Sequence, residues 1–506
     1  MSYNASALSL KMSTLPPNSG EEETKNFLQT ALVAAVCFLL VNLLIIFRLG
    51  PTGDEIWDLT GKYSGSYLAG GRFTVHLYRL IFSHSGVPVA YGIASSLYFG
   101  LAIATQIKIL HIRDKWVQFF FIALSVSVIQ LSYFMICSYH ADVICLGLFM
   151  VSCSYLLFEK AYAERSKTIL CLSIIPAVIG LGAYQFIGML LPTLFIIQLI
   201  QNLVHSSKQE SITSVLRKAG IFIGWGLSVI ASYFILSTIS KSVCAPSDIE
   251  LTEGYQATLI LWGQLDIFTQ ILHIGKVWCL HLVGASYPGE WLYVTAFLPL
   301  TLLVHDIWKK NRPVSLRLFY TSLALSLYVI PFLPIAIVGK DLGARVYLSQ
   351  PLACAAMWCI ALSPHARRVK SWGILTLGIF MMLKASYVVS DMAFYHKRIY
   401  DQSVALRAEV LVRALQIDVP AGVNINSCPI ITYKSLRSKL HSQDSYSSPI
   451  TTFGLNSFEA SLGSSGIIAA RHSDPILSPI FKQMPVYPAP GSIKYHEGNI
   501  LVKLGD

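Results

Sequence analysis

The chain has 506 residues, of which 54% are hydrophobic and only 13% charged, with a net charge of +11 and a mean hydropathy of +0.57. Soluble domains carry about 25% charged residues, so there is too little polar surface to coat one or two of them, and a soluble enzyme, a disordered scaffold and a secreted disulfide-rich module are excluded. The apolar stretches are continuous instead of alternating, which argues against an outer-membrane barrel and leaves a polytopic α-helical membrane protein.

In chain order, residues 1–26 are a polar head, read as an N-terminal tail without a cleaved signal, because no small-residue cleavage site follows the first apolar run. About 20 apolar residues cross a bilayer. Runs of that kind fall at 27–47, 87–110, 116–136 and 141–158. The stretch 168–201 is too long for one helix. GLGAYQ in its middle, with Pro176 and Pro192 on either side, predicts two spans with a tight break. Further runs at 219–239, 291–305, 316–337, 346–362 and 372–391 bring the expectation to about eleven crossings.

Two connecting segments are more than links. Segment 48–86 contains GRFTVHLYRLIFSHSG, amphipathic but too short to span, which predicts a helix lying in the interface. Segment 240–290 is apolar but broken by Gly, Gln, Asp, His and Lys, and one or two more interfacial helices are expected there. The tail 393–506 changes composition. Its start has apolar residues at helical spacing, VNINSCPIITY reads as a strand, and GSIKYHEGNILVKLG as a hairpin turning near Glu497–Gly498. This predicts a small C-terminal α/β domain.

The connecting loops also orient the chain. Segments 111–115, 159–167, 205–218, 308–313 and 365–370 hold 14 lysines and arginines in 40 residues. The alternate set is poorer in them, so the basic set is expected in the cytoplasm. The polar head 1–26 is then cytoplasmic, and the domain 393–506 and the loops 48–86 and 240–290 lie on the opposite side. The positive charge therefore marks cytoplasmic loops; no basic run interleaved with aromatics points to nucleic acid. The cysteines show no metal-ligand spacing, and Cys244 and Cys279 are the pair whose segments would permit a disulfide.

Polar residues out of keeping with their surroundings gather on the non-cytoplasmic side. Asp54, Glu55 and Asp58 stand in GDEIWD, and Arg72 follows two glycines. Glycine lets backbone approach a ligand closely, and arginine binds phosphate oxygens in a planar, bidentate way. His140 and Asp142 stand in SYHAD, where Asp142 is also a helix-cap candidate. Tyr184 and Gln185 stand at the GLGAYQ break, and Lys340, Asp341 and Arg345 in GKDLGAR. Lys384 reads as a snorkelling side chain, and Glu290 and Trp291 as interfacial anchors. Ionisable residues at a membrane boundary are costly and often functional. Carboxylates for a general base and arginines for a phosphate, beside a lipid phase, suit a lipid-phosphate substrate. No metal ligand set is readable, and neither metal nor cofactor is expected.

Asp54-Glu55, Gly71-Arg72, Tyr184-Gln185, the GAR before the tenth span and the tail from MPVYPAPGSIKYHEGNILVKL together resemble the serotype-converting O-antigen glucosyltransferases of phages and bacteria, integral membrane enzymes of the GT-C type. The family pattern has an Asp-Asp pair with an arginine soon after; this chain has Glu55 as the second acid and Asp58 where that arginine is expected. The resemblance implies a GT-C-like fold in the bacterial inner membrane. It implies a polyprenyl-phosphate glucose donor and a lipid-linked O-antigen acceptor in the periplasm. A polyprenyl-phosphate glucose synthase and a small flippase are the implied partners. In that chemistry Asp54 is the first candidate for the base and Glu55 the second. Arg72 and Arg345, with Lys340, Tyr184 and Gln185, are candidates for the donor phosphate and sugar; His140, Asp142 and Asp58 are candidates on the acceptor side or as supporting groups. The competing readings are a flippase or transporter of lipid-linked sugars, which should show deep ionisable residues and an internal repeat, an O-antigen polymerase and a membrane O-acetyltransferase.

Overall fold

The computed structural model describes residues 19–47, 68, 71–82, 88–128, 130–136, 138–205, 212–244, 262, 266–286, 290–309, 313–339, 346–362, 371–414, 420, 422–423, 430–433, 468–469, 477–486 and 489–503. Seven helices among them are long and apolar enough to cross a membrane: Glu21–Val41, Val89–Ile109, Ala141–Glu164, Gln185–Asn202, Ile212–Val243, Val314–Val338 and Trp372–Phe394. They coincide with seven of the expected crossings, and the architecture is that of a helical membrane protein.

The remaining expected crossings fall on shorter helices. The run 116–136 is two pieces, Lys115–Ser127 and Gln130–Ile136, because Val128 is extended and stops the first. Lys167–Ala183 is the first half of 168–201. The run 291–305 is divided between Trp291–Val294 and Phe297–Lys309, and 346–362 becomes Gln350–Leu362, whose residues are buried from Gln350 to Ala361.

Burial follows the membrane pattern, with apolar side chains outward. The helix Ile212–Cys244, here α10, exposes Ile223, Leu227, Phe234 and Ile235. Without a hydrophobic drive between helices in lipid, close backbone approach supplies much of the association. Ser138–Glu164 (α7) and Lys167–Ala183 (α8) use Gly147 and Gly180 for this: a Cβ on Gly180 would stand 2.9 Å from the Gly147 carbonyl oxygen and 2.4 Å from a Val151 methyl.

Both predicted interfacial segments contain a helix of reversed polarity. Phe73–Phe82 (α3) turns Thr74, Tyr78 and Arg79 inward and leaves Leu77, Leu80, Ile81 and Phe82 exposed. Ile267–Leu282 (α11) buries Gln270 and His281 and exposes Ile267, Phe268, Ile271 and Leu272. Asp266 caps α11 by accepting from the Thr269 N–H at 3.0 Å.

The last apolar run continues without a break into the tail as one 44-residue helix, Ser371–Ala414 (α17). The expected boundary at 392/393 thus lies inside a helix. Beyond it, Ile430–Tyr433 (β1), Ile468–Ala469 (β2), Ile493–His496 (β3) and Asn499–Lys503 (β4) form a sheet in the order β2-β1-β4-β3. β1 is parallel to β2 and β4, and β3–β4 is an antiparallel hairpin. Its turn is Glu497–Gly498, both at positive φ, the backbone that a two-residue hairpin turn with right-handed strand twist requires. The helix Leu477–Gln483 lays Phe481 against Leu501 of β4.

Candidate functional site

The break in the stretch 168–201 is the seed of the site. α8 ends at Ala183, and Tyr184 turns to extended backbone while its N–H still closes the helix on the Gly180 carbonyl. Gln185 opens a short 3-10 turn, Gln185–Met189. The start of α3 docks on this helix end. The Thr74 hydroxyl donates to the Ile179 carbonyl at 2.8 Å, and Gly182 lies so close to the Phe73 ring that a Cβ there would stand 2.5 Å from it.

That docking brings Arg72, Tyr184 and Gln185 together from two distant parts of the chain. The Arg72 guanidinium lies over the Tyr184 ring, 5.0 Å from its centroid. The ring is itself held edge-on by Phe134. Two attractions favour a cation here: the ring quadrupole and the negative end of the α8 dipole. Among the described residues no carboxylate lies within ion-pair distance of Arg72.

A residue from the lipid-exposed α10 completes the group. The Tyr233 hydroxyl accepts from Gln185 Nε2 at 2.9 Å and donates to the Gly71 carbonyl at 3.2 Å. Gly71 has φ +73°, and a Cβ on it would stand 2.3 Å from the Tyr233 hydroxyl. Glycine is therefore required by both backbone and space. Ser237, one turn after Tyr233, lies beside Gly71, its Oγ 3.2 Å from where a Cβ on Gly71 would stand. No sequence signal set Tyr233 apart, since it is one aromatic in an apolar run.

Asp142 stands elsewhere. Its two carboxylate oxygens bind both terminal nitrogens of Arg79, at 2.7 and 3.0 Å, with side-chain exposures of 1% and 3%. The Val143 N–H donates to it as well. The Arg79 guanidinium also lies 4.6 Å from the Tyr91 ring centroid. This carboxylate is committed to pinning α3 on α7; it is not the helix cap the sequence suggested, because α7 already begins at Ser138. Arg79 itself was not singled out, although it lies seven residues, two helical turns, after Arg72. His140 is in the first turn of α7, with its side chain outside the described part.

Asp54, Glu55, Asp58, Lys340, Asp341 and Arg345 lie outside the described residues. The described neighbours of 340–345 are anchored by α11. Gln270 Nε2 donates to the Gly339 carbonyl at 2.5 Å, and the His281 ring packs 4.7 Å from the Tyr347 ring. Glu290, read from sequence as an interfacial anchor, is instead fully buried and 2.5 Å from His281 Nδ1. Lys384 lies over the Tyr387 ring, and Cys279 is a free thiol.

A further buried polar group lies between α7, the helix Leu190–His205 (α9) and the start of α10. Lys218 Nζ donates to Glu159 at 2.9 Å and to Gln198 at 3.3 Å. Tyr155 donates to Glu159 at 2.9 Å. The group's polar atoms are engaged with one another across three helices, and it is only slightly exposed. Among the described residues no three His, Cys, Asp or Glu side chains are placed to hold a metal ion. The concavity lined by Glu21, Lys25 and Leu32 is a shallow strip along the helix Ser19–Val41 (α1), without reactive groups in concert.

The Arg72 group therefore sets a guanidinium beside a helix face of exposed apolar side chains. Compared with protein-family models, curated proteins and solved structures, the chain matches none.

Proposed function

We propose that the protein is an inverting glycosyltransferase that moves glucose from a polyprenyl-phosphate donor to lipid-linked O-antigen at the periplasmic face of the bacterial inner membrane. The observation that carries the reading is Arg72. It is a guanidinium held over Tyr184 at the foot of a short helix whose outer face is bare apolar surface, without a described carboxylate beside it. A lipid monophosphate supplies the matching anion and the matching apolar tail.

In this reading the acceptor hydroxyl loses its proton to Asp54, or to Glu55 in its place, and its oxygen attacks the anomeric carbon. The bond from that carbon to the phosphate oxygen breaks, and the lipid phosphate leaves with the electron pair. Arg72, with Arg345 and Lys340, stabilises the developing negative charge, and Gln185 is placed to meet the sugar or phosphate. A single displacement inverts the anomeric centre and needs no covalent enzyme intermediate. The proposed topology has eleven crossings, with the shorter helices Lys115–Ser127, Lys167–Ala183 and Gln350–Leu362 and the interrupted 291–309 region completing the count. The N-terminus is then cytoplasmic, and the tail after 392 is a periplasmic α/β domain.

The test is transfer in vitro. Purified protein in detergent is mixed with polyprenyl-phosphate glucose and lipid-linked O-antigen, beside the Asp54→Asn and Arg72→Ala variants. Glucose on the glycan with wild-type protein alone supports the enzyme and both assignments. Folded protein that transfers nothing across a panel of O-antigens sinks the reading, and a lipid-flipping assay then tests the transport alternative.

A further inference from the structure

We infer that Tyr233 is a positioning residue that aims the Arg72 guanidinium at the phosphate, acting through the Gly71 carbonyl; this rests on the phosphate-binding reading of Arg72. The Tyr233 hydroxyl has one proton to give. Gln185 Nε2 donates to its oxygen at 2.9 Å, and the hydroxyl donates to the Gly71 carbonyl at 3.2 Å. That carbonyl belongs to the peptide joining Gly71 to Arg72. Fixing it sets the direction in which the Arg72 side chain leaves the backbone. On the other side the Gly71 N–H donates to the Leu68 carbonyl at 2.9 Å. Gly71 is thus held at both its N–H and its carbonyl.

The arrangement closes on itself. Tyr184 lies under the guanidinium, its neighbour Gln185 orients Tyr233, and Tyr233 holds the peptide before Arg72. The Phe73 and Tyr233 rings also touch, with centroids 6.0 Å apart. Tyr233 reaches inward from α10, most of whose side chains are exposed or half-buried. A helix with a largely exposed apolar surface is thereby coupled to the one described cation of this group. A side chain that only filled space here would need no hydroxyl, and Gly71 would not need its left-handed backbone to bring its carbonyl within reach.

The experiment titrates the full chain in detergent micelles with a polyprenyl monophosphate and, separately, with the uncharged polyprenol, following intrinsic fluorescence. Wild type, Arg72→Ala, Tyr233→Phe and Gln185→Met are compared, with size-exclusion profiles confirming that each is folded. Tyr233→Phe is expected to weaken monophosphate binding about fivefold, the worth of one net hydrogen bond, and to leave polyprenol binding unchanged. Gln185→Met should move in the same direction, and if Tyr233→Phe does not fold, Tyr233→Leu, which also removes the hydroxyl, carries the test. Tyr233→Phe binding the monophosphate as tightly as wild type, or losing both ligands equally, overturns the positioning role while the Arg72 reading stands. Wild type showing no preference for the monophosphate over the alcohol, or Arg72→Ala keeping that preference, overturns the phosphate reading and the inference with it.

Discussion

Arg72 and Arg79 stand seven residues apart at and within the same short helix, and both turn toward the protein. Arg79 is sealed in, with both terminal nitrogens on Asp142 and aromatic rings beside the guanidinium. Arg72 is half-buried and rests on the Tyr184 ring. Taking a guanidinium out of water costs several kcal/mol unless a partner and hydrogen bonds compensate. Arg79 meets that condition internally and is structural. Arg72 sits where a helix dipole and a ring hold a cation in place, and no described carboxylate pairs with it. Residue type and spacing do not separate the two; the acid opposite Arg79, contributed by a helix 63 residues away, does.

The largest effect expected from breaking this contrast is at the sealed pair. Asp142→Ala leaves a buried unpaired guanidinium and should lower stability by about 3–5 kcal/mol, read as the unfolding midpoint in detergent. Replacing both partners, Arg79→Met with Asp142→Leu, should recover most of that loss. A single variant as stable as wild type would erase the distinction between the two arginines.

Next comes Gly71→Ala. Left-handed backbone costs an ordinary residue about 1–2 kcal/mol, and the new methyl would meet the Tyr233 hydroxyl. Transfer activity should fall by more than stability does, because the peptide before Arg72 moves. Arg72→Ala is the reverse of Asp142→Ala: it forfeits a cation–π contact of about 0.5–1 kcal/mol yet abolishes transfer and phosphate preference. Unfolding midpoints and transfer rates measured on one set of preparations decide it, and a large stability loss in Arg72→Ala would make that residue structural too.

The smallest effect sharpens the comparison of the two reversed helices. Asp266 caps α11 from an exposed position, and donation by the Thr269 side chain and N–H holds its carboxyl below the usual aspartate range. Its folded pKa is depressed, so the stabilisation is present above the unfolded value and is lost as pH falls through the folded one. Acidification below about pH 4 should loosen the first turn of α11, seen as faster amide exchange there. Asp266→Asn should show no such acid step. The start of α3, held by Thr74 and Phe73 with no carboxylate cap among the described residues, should not respond.

Much of the fold was legible because its causes are local. Apolar run length located seven membrane-length helices. Gly and Pro around GLGAYQ marked the break after Ala183, and Glu497–Gly498 marked the hairpin turn. Tyr184, Gln185 and Arg72 were legible as polar groups out of place. Their convergence was not, because 112 residues separate Arg72 from Tyr184 and no pattern within either segment points to the other. Tyr233 had no signal at all, and Glu290 read as a surface anchor because its partner His281 lies in a helix whose buried face hydropathy does not reveal.

The sequence by itself determined where the long apolar runs lie, the break after Ala183 and the turn at Glu497–Gly498, because hydropathy and turn chemistry act over a few residues. Only the tertiary structure decided which face of each helix is inward. The run Gln350–Leu362 is wrapped on all sides, while α10 leaves much of its apolar surface outward. The end of one helix run continues as the first helix of the tail, and one of two arginines is matched by an acid. Those outcomes depend on which surfaces meet across the bundle, and close packing and charge pairing act between elements that the chain brings together only when it folds.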